Sequence, residues 1–432
     1  MEERSNGKEG GTIVYDVKIA GGQVLHRGRF RPLDIGINEE KIAKVGRELG
    51  QAQRTVDAGN LLILPGVIDG HVHLRDFGEA EKEDFRSGTR AAAAGGVTTV
   101  VDMPNNNPPI DSPDRIRDKI QLGREKSLVN FALYGAIPEK LDQVGPMLEE
   151  GIIGFKWFME EKEVNLQRLA KELEQRSALL TVHAEDPRFL KEVSEARTPA
   201  DYWDRRPPKA ELEAVRRLLK ADLSRLHLAH VSLPETLDLA GSRVTSEITP
   251  QHLLLSKDDI SLRDFKYICN PPLRNVDTVK GLQKALTEGK IDLIASDHAP
   301  HQSPEKLTED PAQAEAGVPG LETMVPLVFT FADDNDIQLE LVAGMLTSSP
   351  ADIFGIPKRG KIEVGYHADL TVIDPGLERT IRGKDFYSKA EYTPFEGQKV
   401  RFWPVLTVIN GEIIYEQGEI LASTRAQFLG GR

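Results

Sequence analysis

The sequence predicts an α/β protein: a (β/α)8, TIM-like barrel with a small β-sandwich domain formed from both chain ends. Three observations predict it. Between residues 64 and 355 short β-branched runs alternate with helical segments, a pattern that implies a parallel sheet. Eight such runs occur, enough to close a barrel. At 1–63 and 356–432 the pattern turns to short strands joined by turn dipeptides, as in antiparallel pairing. An open doubly wound sheet is the alternative for the central part.

In chain order, residues 12–23 have strand composition and close on Gly-Gly, and residues 34–45 read as a hairpin around Asn38-Glu39-Glu40. Residues 61–76 begin as an apolar run, like a strand buried on both faces, and end in His-Val-His-Leu-Arg-Asp. This is the first barrel strand. Residues 85–95 are Ala-rich and helical and stop at Gly95-Gly96. Strands follow at 97–103, 129–136, 152–158, 179–183, 226–231, 244–248 and 291–296. Helical segments at 113–122, 166–176 and 210–222 separate several of them. Beyond residue 356 strands return at 361–374 and 405–417, the latter carrying the hairpin dipeptide Asn410-Gly411.

Composition narrows the class. Of 432 residues, 39% are hydrophobic and 28% charged, which fits a globular chain. The net charge is −13 and no Lys/Arg cluster is dense, so a nucleic-acid face is not expected. Cys269 is the single cysteine, which excludes an internal disulfide. The first eleven residues are polar, unlike a secretory signal, and no apolar run reaches the ~20 residues of a membrane span. A cytoplasmic protein is the expectation.

Barrel enzymes build their sites at the C-terminal ends of the strands. Those ends offer His71 and His73, then Lys156 in Gly-Phe-Lys-Trp-Phe, then His183, His230 and Asp297. His71 and His73 are separated by one residue, so on a strand both point the same way. His227, three residues before His230, falls on the opposite face and is read as structural, as is His252. Lys156 lies in an apolar run, where burial lowers an amine's pKa. A neutral amine near cations captures carbon dioxide, and the carbamate bridges two metals. Snorkelling to the barrel mouth or pairing with an acid are the alternatives.

The ordered segments Gly-His-Val-His-Leu-Arg, Gly-Phe-Lys, His-Ala-Glu-Asp, Ala-His-Val-Ser and Ser-Asp-His-Ala-Pro-His resemble the amidohydrolase superfamily. The resemblance spans roughly residues 14–415. Within the superfamily the chain is most similar to the dihydroorotases, then to the allantoinases and dihydropyrimidinases. The resemblance implies two divalent ions. One is held by His71, His73 and Asp297, the other by His183 and His230, and carboxylated Lys156 bridges them. Nitrogen and oxygen ligands of this kind suit zinc.

Arg75 completes His-x-His-x-Arg, Asn105 stands in Met-Pro-Asn, and Asn270 in Asn-Pro-Pro-Leu-Arg. These segments and His301 resemble the dihydroorotase versions. They imply that Arg75, Asn105 and His301 hold a ring carboxylate while Asn270 faces the ring. A guanidinium pairs with a carboxylate through charge-assisted hydrogen bonds, and hydantoins offer no carboxylate. Two departures are Phe77, where many relatives have proline, and Gln251, where a histidine is common.

The implied reaction is reversible hydrolysis of the cyclic amide of dihydroorotate to carbamoyl aspartate, with Asp297 as base and then acid. Residues 300–322 are expected to wall the pocket, with backbone contacts near 316–319. Allantoinase and dihydropyrimidinase or hydantoinase activity are the alternatives, and a non-catalytic scaffold is the third. The expected partner is the small-molecule substrate, with no nucleic acid and no membrane. A homodimer is a further expectation, and some relatives associate with an aspartate carbamoyltransferase; the sequence shows a surface for neither.

Overall fold

The computed structural model describes residues 14–191, 198–260, 264–308, 314–421 and 425–431. The start of the expected strand at 12–23, and part of the expected pocket wall at 300–322, lie outside the described residues.

Eight parallel strands form one sheet in sequential order: Val67–Val72, Val97–Asp102, Asn130–Ala136, Gly154–Phe158, Leu179–His183, Leu226–Leu228, Thr245–Ile248 and Leu293–Ile294. The ring is completed past the last strand, where Val72 bridges His298 in parallel and His73 N–H donates to the His298 carbonyl at 2.8 Å. The sheet is therefore the expected barrel. Its strands read as continuous apolar runs because both faces are covered. On the third strand Phe131 and Leu133 pack outward against the helices, while Ala132 and Tyr134 pack inward with Ile68, Val101 and Phe354.

The helices follow local signals. Phe85–Ala94 opens with a capping box between Asp84 and Ser87. Pro113–Lys126 starts on Ser112 with proline in its first turn, and Leu166–Glu174 starts on Asn165. The apolar faces of these helices cover the barrel, sharing one core with its outward residues. No helix of the described residues is long and apolar enough to cross a membrane.

The small domain is a nine-stranded sheet that joins the chain ends. Tyr15–His26 pairs with Arg29–Asn38, which pairs with Lys41–Gly46 through a turn at Glu39. From the other end, Leu370–Asp374 pairs with Trp403–Ile409, which turns at Asn410-Gly411 into Glu412–Glu416. Both turn residues have positive φ, as the dipeptide predicts.

The expected strand within residues 61–76 is in fact two. Leu62–Pro65 lies in the small sheet, between Tyr15–His26 and Leu370–Asp374. Val67–Val72 begins the barrel. The change of sheet falls at Gly66 rather than before residue 64. A side chain there would collide with Thr98, 2.1 Å from an ideal Cβ, so only glycine allows the chain to cross.

Candidate metal centre and substrate cavity

The strand ends gather their polar groups in a cavity of about 240 Å³ at the C-terminal mouth of the barrel. His71, His73, His183, His230, Asp297, Arg75, Asn105, Asn270 and His301 all line it. A wider cleft of about 860 Å³ lies between residues 137–142 and the helix Leu166–Glu174, and no histidine lines it. The chemistry belongs to the smaller space.

On one wall Asp297 Oδ1 lies 3.2 Å from His71 Nε2 and 3.3 Å from His73 Nε2. On the other, His183 Nδ1 and His230 Nε2 are 3.0 Å apart. The opposite ring nitrogens are tied back. His71 Nδ1 meets Glu247. His73 Nδ1 meets Asn105 Oδ1 at 2.7 Å, and His183 Nε2 meets Glu185 Oε2 at 2.7 Å. An acceptor on one ring nitrogen fixes the tautomer and turns the other nitrogen's lone pair into the cavity. Burial, followed by the charge of Lys156, lowers the pKa of His71. Burial, followed by Arg75 and by His183 respectively, holds His73 and His230 well below the usual range. Neutral imidazoles are what a cation needs.

Lys156 is 1% exposed. Its Nζ sits 3.5 Å from His71 Nε2 and 5.0 Å above the Phe158 ring. No carboxylate lies within ion-pair distance of it among the described residues. The snorkelling and ion-pair alternatives therefore do not describe it. Burial lowers its pKa to about 8, against the opposing pull of Glu247 and Asp297.

Several of these residues have strained backbones. Arg75, His230 and Asp297 have φ of 59°, 36° and 48°. The turn at His230 explains why strand alternation fails there. The strand Leu226–Leu228 ends before His230, so His227 is not on an opposite face. Its Nε2 reaches Glu247 Oε2 at 3.1 Å, and Glu247 also accepts from the His230 backbone N–H at 3.1 Å.

The donors fit divalent cations. His71, His230 and Asp297 each present a ligand atom, all within 4.8 Å of one another, and so do Glu160, His183 and Glu185. This grouping cuts across the expected split into His71–His73–Asp297 and His183–His230. Among the described residues His230 Nδ1 is buried without a partner, so its ring is held there only by what its Nε2 meets.

At the far end of the cavity Arg75 Nη2 donates to His301 Nε2 at 3.2 Å. Arg75 is 8% exposed, and among the described residues its Nε has no partner and no carboxylate pairs with it. Burial, then the charge of Arg75, pushes His301 down to about 2, so this imidazole is neutral. Asn270 Oδ1 accepts from the Tyr202 hydroxyl at 2.6 Å, which leaves its amide N–H group free to donate. Ala316 and Gly317 line the same end, and the Ala316 carbonyl lies 3.1 Å from His301 Nε2.

Sequence reasoning missed the carboxylates behind the rings. Glu185 is buried, yet Arg206 and His183 pull its pKa down to about 2. Arg206 bonds both Glu185 and Glu160. Glu247 lies inside a strand, not at its end. The signal was there, since a glutamate in Thr-Ser-Glu-Ile is as anomalous as a lysine in Phe-Lys-Trp.

The comparisons agree with this geometry. Residues 62–414 match the Amidohydrolase family. A dihydroorotase of Halobacterium salinarum is 37% identical over 413 residues, 92% of this chain and 96% of that one. An allantoinase of Deinococcus radiodurans is 32% identical over 97% of this chain and 100% of its own length. Among solved structures, an L-hydantoinase (dihydropyrimidinase) from Arthrobacter aurescens superposes with a TM-score of 0.91 at 29% identity, covering 96% of this chain and 100% of that one. The chain belongs to the amidohydrolase family and is a hydrolase. Metal dependence goes with that family, and the donor set described above accords with it.

Proposed function

We propose that the chain is a cyclic amidohydrolase acting on dihydroorotate, opening it to carbamoyl aspartate and closing it in reverse. The observation that carries this reading is Arg75, a buried guanidinium lining the cavity with no carboxylate of the described residues paired to it. An uncompensated buried charge costs several kcal/mol, so the cavity is completed by a ligand carboxylate. Two divalent cations outweigh a hydroxide, Asp297 and a carbamate in formal charge, which adds to the preference for an anion. Relatives named dihydroorotase support the same ring. The allantoinase and hydantoinase likenesses favour a neutral ring instead, and they are the second reading.

His71, His73 and Asp297 would hold one ion, and His183 and His230 the other. Lys156 would stand between them as a carbamate formed by its neutral amine with carbon dioxide. Zinc suits this nitrogen and oxygen set. Bound there, such ions would supply Lewis acidity, acidifying a water and polarising a carbonyl. Asp297 takes the proton of the attacking water and delivers it to the departing ring nitrogen. Arg75 and neutral His301 hold the carboxylate. Asn270 offers its amide N–H to a ring carbonyl. Asn105, bonded to His73, orients that imidazole from the edge of the anion end. The reaction belongs to pyrimidine synthesis, and we place it in the cytoplasm.

Zinc-loaded protein of measured metal content, assayed in parallel on dihydroorotate, allantoin and dihydrouracil, tests the reading. It requires fast turnover of dihydroorotate. Fast turnover of allantoin alone sinks it. Less than one metal per chain, with no turnover of any ring, points to the scaffold alternative.

A further inference from the structure

A buried ion pair outside every site motif takes no part in the chemistry above. Lys119 comes from the helix Pro113–Lys126, whose other buried residues are Ile116, Ile120 and Gly123. It is 1% exposed, as is its partner Asp102. A lysine there gives up its hydration, and an apolar residue would pack the same face without that cost. Its ammonium is fully committed. Nζ lies 2.6 Å from Asp102 Oδ2 and donates to Asn106 Oδ1 at 2.6 Å and to the Met103 carbonyl at 3.3 Å.

Both side-chain partners pass the restraint on. Asp102 Oδ1 accepts from the Leu74 N–H at 2.9 Å. Asn106 Nδ2 donates to the Asp76 carbonyl at 2.6 Å. Leu74 and Asp76 flank Arg75, whose left-handed backbone (φ 59°) is disfavoured for a residue with a side chain. The two bonds hold the 73–74 and 76–77 peptide groups, which bracket the segment centred on that strained residue.

We infer that Lys119 is a positioning residue for the anion end of the cavity: through Asp102 and Asn106 it fixes the backbone around Arg75 and so aims the guanidinium at the substrate. The inference rests on the reading that Arg75 takes a substrate carboxylate. It also explains why a charge is buried behind the barrel wall. A hydrocarbon would pack as well, but it would hold neither Asp102 nor Asn106.

Two variants of the zinc-loaded full chain test it. Lys119→Met removes the ammonium. Asn106→Ser keeps the Lys119–Asp102 ion pair and removes the Asn106 arm, with its bonds to Lys119 and to the Asp76 carbonyl, so it still reports if the first variant does not fold. Both are assayed for kcat and KM on dihydroorotate and for hydrogen exchange at the amides of residues 74–77. The expected result is faster exchange there and a KM for dihydroorotate raised about tenfold or more, with kcat changed less than about twofold. A loss of stability alone would not produce that split. Unchanged exchange at these amides in both variants overturns the inference, whichever ring the enzyme opens. Faster exchange with unchanged KM for dihydroorotate also overturns it. Failure of the wild type to open dihydroorotate is a separate result and refutes the proposed substrate; the exchange rates then still decide the positioning role.

Discussion

Among the described residues no carboxylate lies within ion-pair distance of Lys156, whose Nζ sits beside the His71 imidazole and over the Phe158 ring. A carbamate would turn this buried amine into a two-oxygen ligand. Lys156→Ala is therefore expected to lose both activity and bound metal, by a factor of about 10³ or more in kcat. A short carboxylic acid added to the variant should restore part of each. Full activity in the variant would rule the carbamate out. Residues of this kind were legible in the sequence, because a lysine or histidine inside an apolar run has no ordinary reason to be there. Asn105 was legible only as a substrate contact. That its Oδ1 orients His73 depends on how two loops meet, which spacing does not encode.

At the scale of elements, strand alternation carried the reading while the strands lasted and failed where they ended. His71 and His73 share the cavity as expected. His227 did not follow, because the backbone turns to φ 36° at His230 and cancels the parity argument. The break at Gly66 was hidden for a similar reason: an apolar run looks the same whether it stays in one sheet or crosses between two. The segment after the seventh strand shows how a loop is pinned. His252 Nε2 meets the Pro271 carbonyl at 2.9 Å and its Nδ1 meets Thr249 Oγ1 at 2.7 Å, next to Asn270. Burial lowers its pKa from the ordinary 6.5 to about 4. The folded form thus resists a proton that the unfolded chain accepts, so stability falls as pH drops from 6.5 toward 4. The contribution is of the order of 2–3 kcal/mol. Denaturant melts across that range should show the loss, and His252→Gln should flatten the slope. An unaltered slope in the variant would assign the acid sensitivity to other groups.

At the scale of the molecule, the barrel and the small sheet are joined by buried polar groups as well as apolar ones. Asn130, at the start of the third barrel strand, donates to Asp369 Oδ2 at 3.1 Å and accepts from Asn410 Nδ2 at 2.9 Å. Arg359 bonds the same Asp369 and Asn410 at 2.7 and 2.8 Å. Asn130→Ala leaves several of these groups unsatisfied and is expected to cost about 2–4 kcal/mol. Equilibrium unfolding of the wild type should follow one transition. A small domain melting separately, with Asn130→Ala neutral, would contradict the joint. Antiparallel ends around a parallel centre were enough to anticipate two sheets. The asparagines at their junction were not recognisable, since Asn130 and Asn410 read as a strand start and a turn.

The proposed substrate rests on one guanidinium, which lines the cavity beside His301. The most direct measurement is the ratio of kcat/KM for dihydroorotate to that for dihydrouracil, in the wild type and in Arg75→Gln at equal metal content. A large preference for dihydroorotate in the wild type should fall by a factor of about 10²–10³ in the variant, equivalent to roughly 3–4 kcal/mol, while the neutral ring changes little. An equal loss on both rings, or a wild type that prefers the neutral one, would contradict the account.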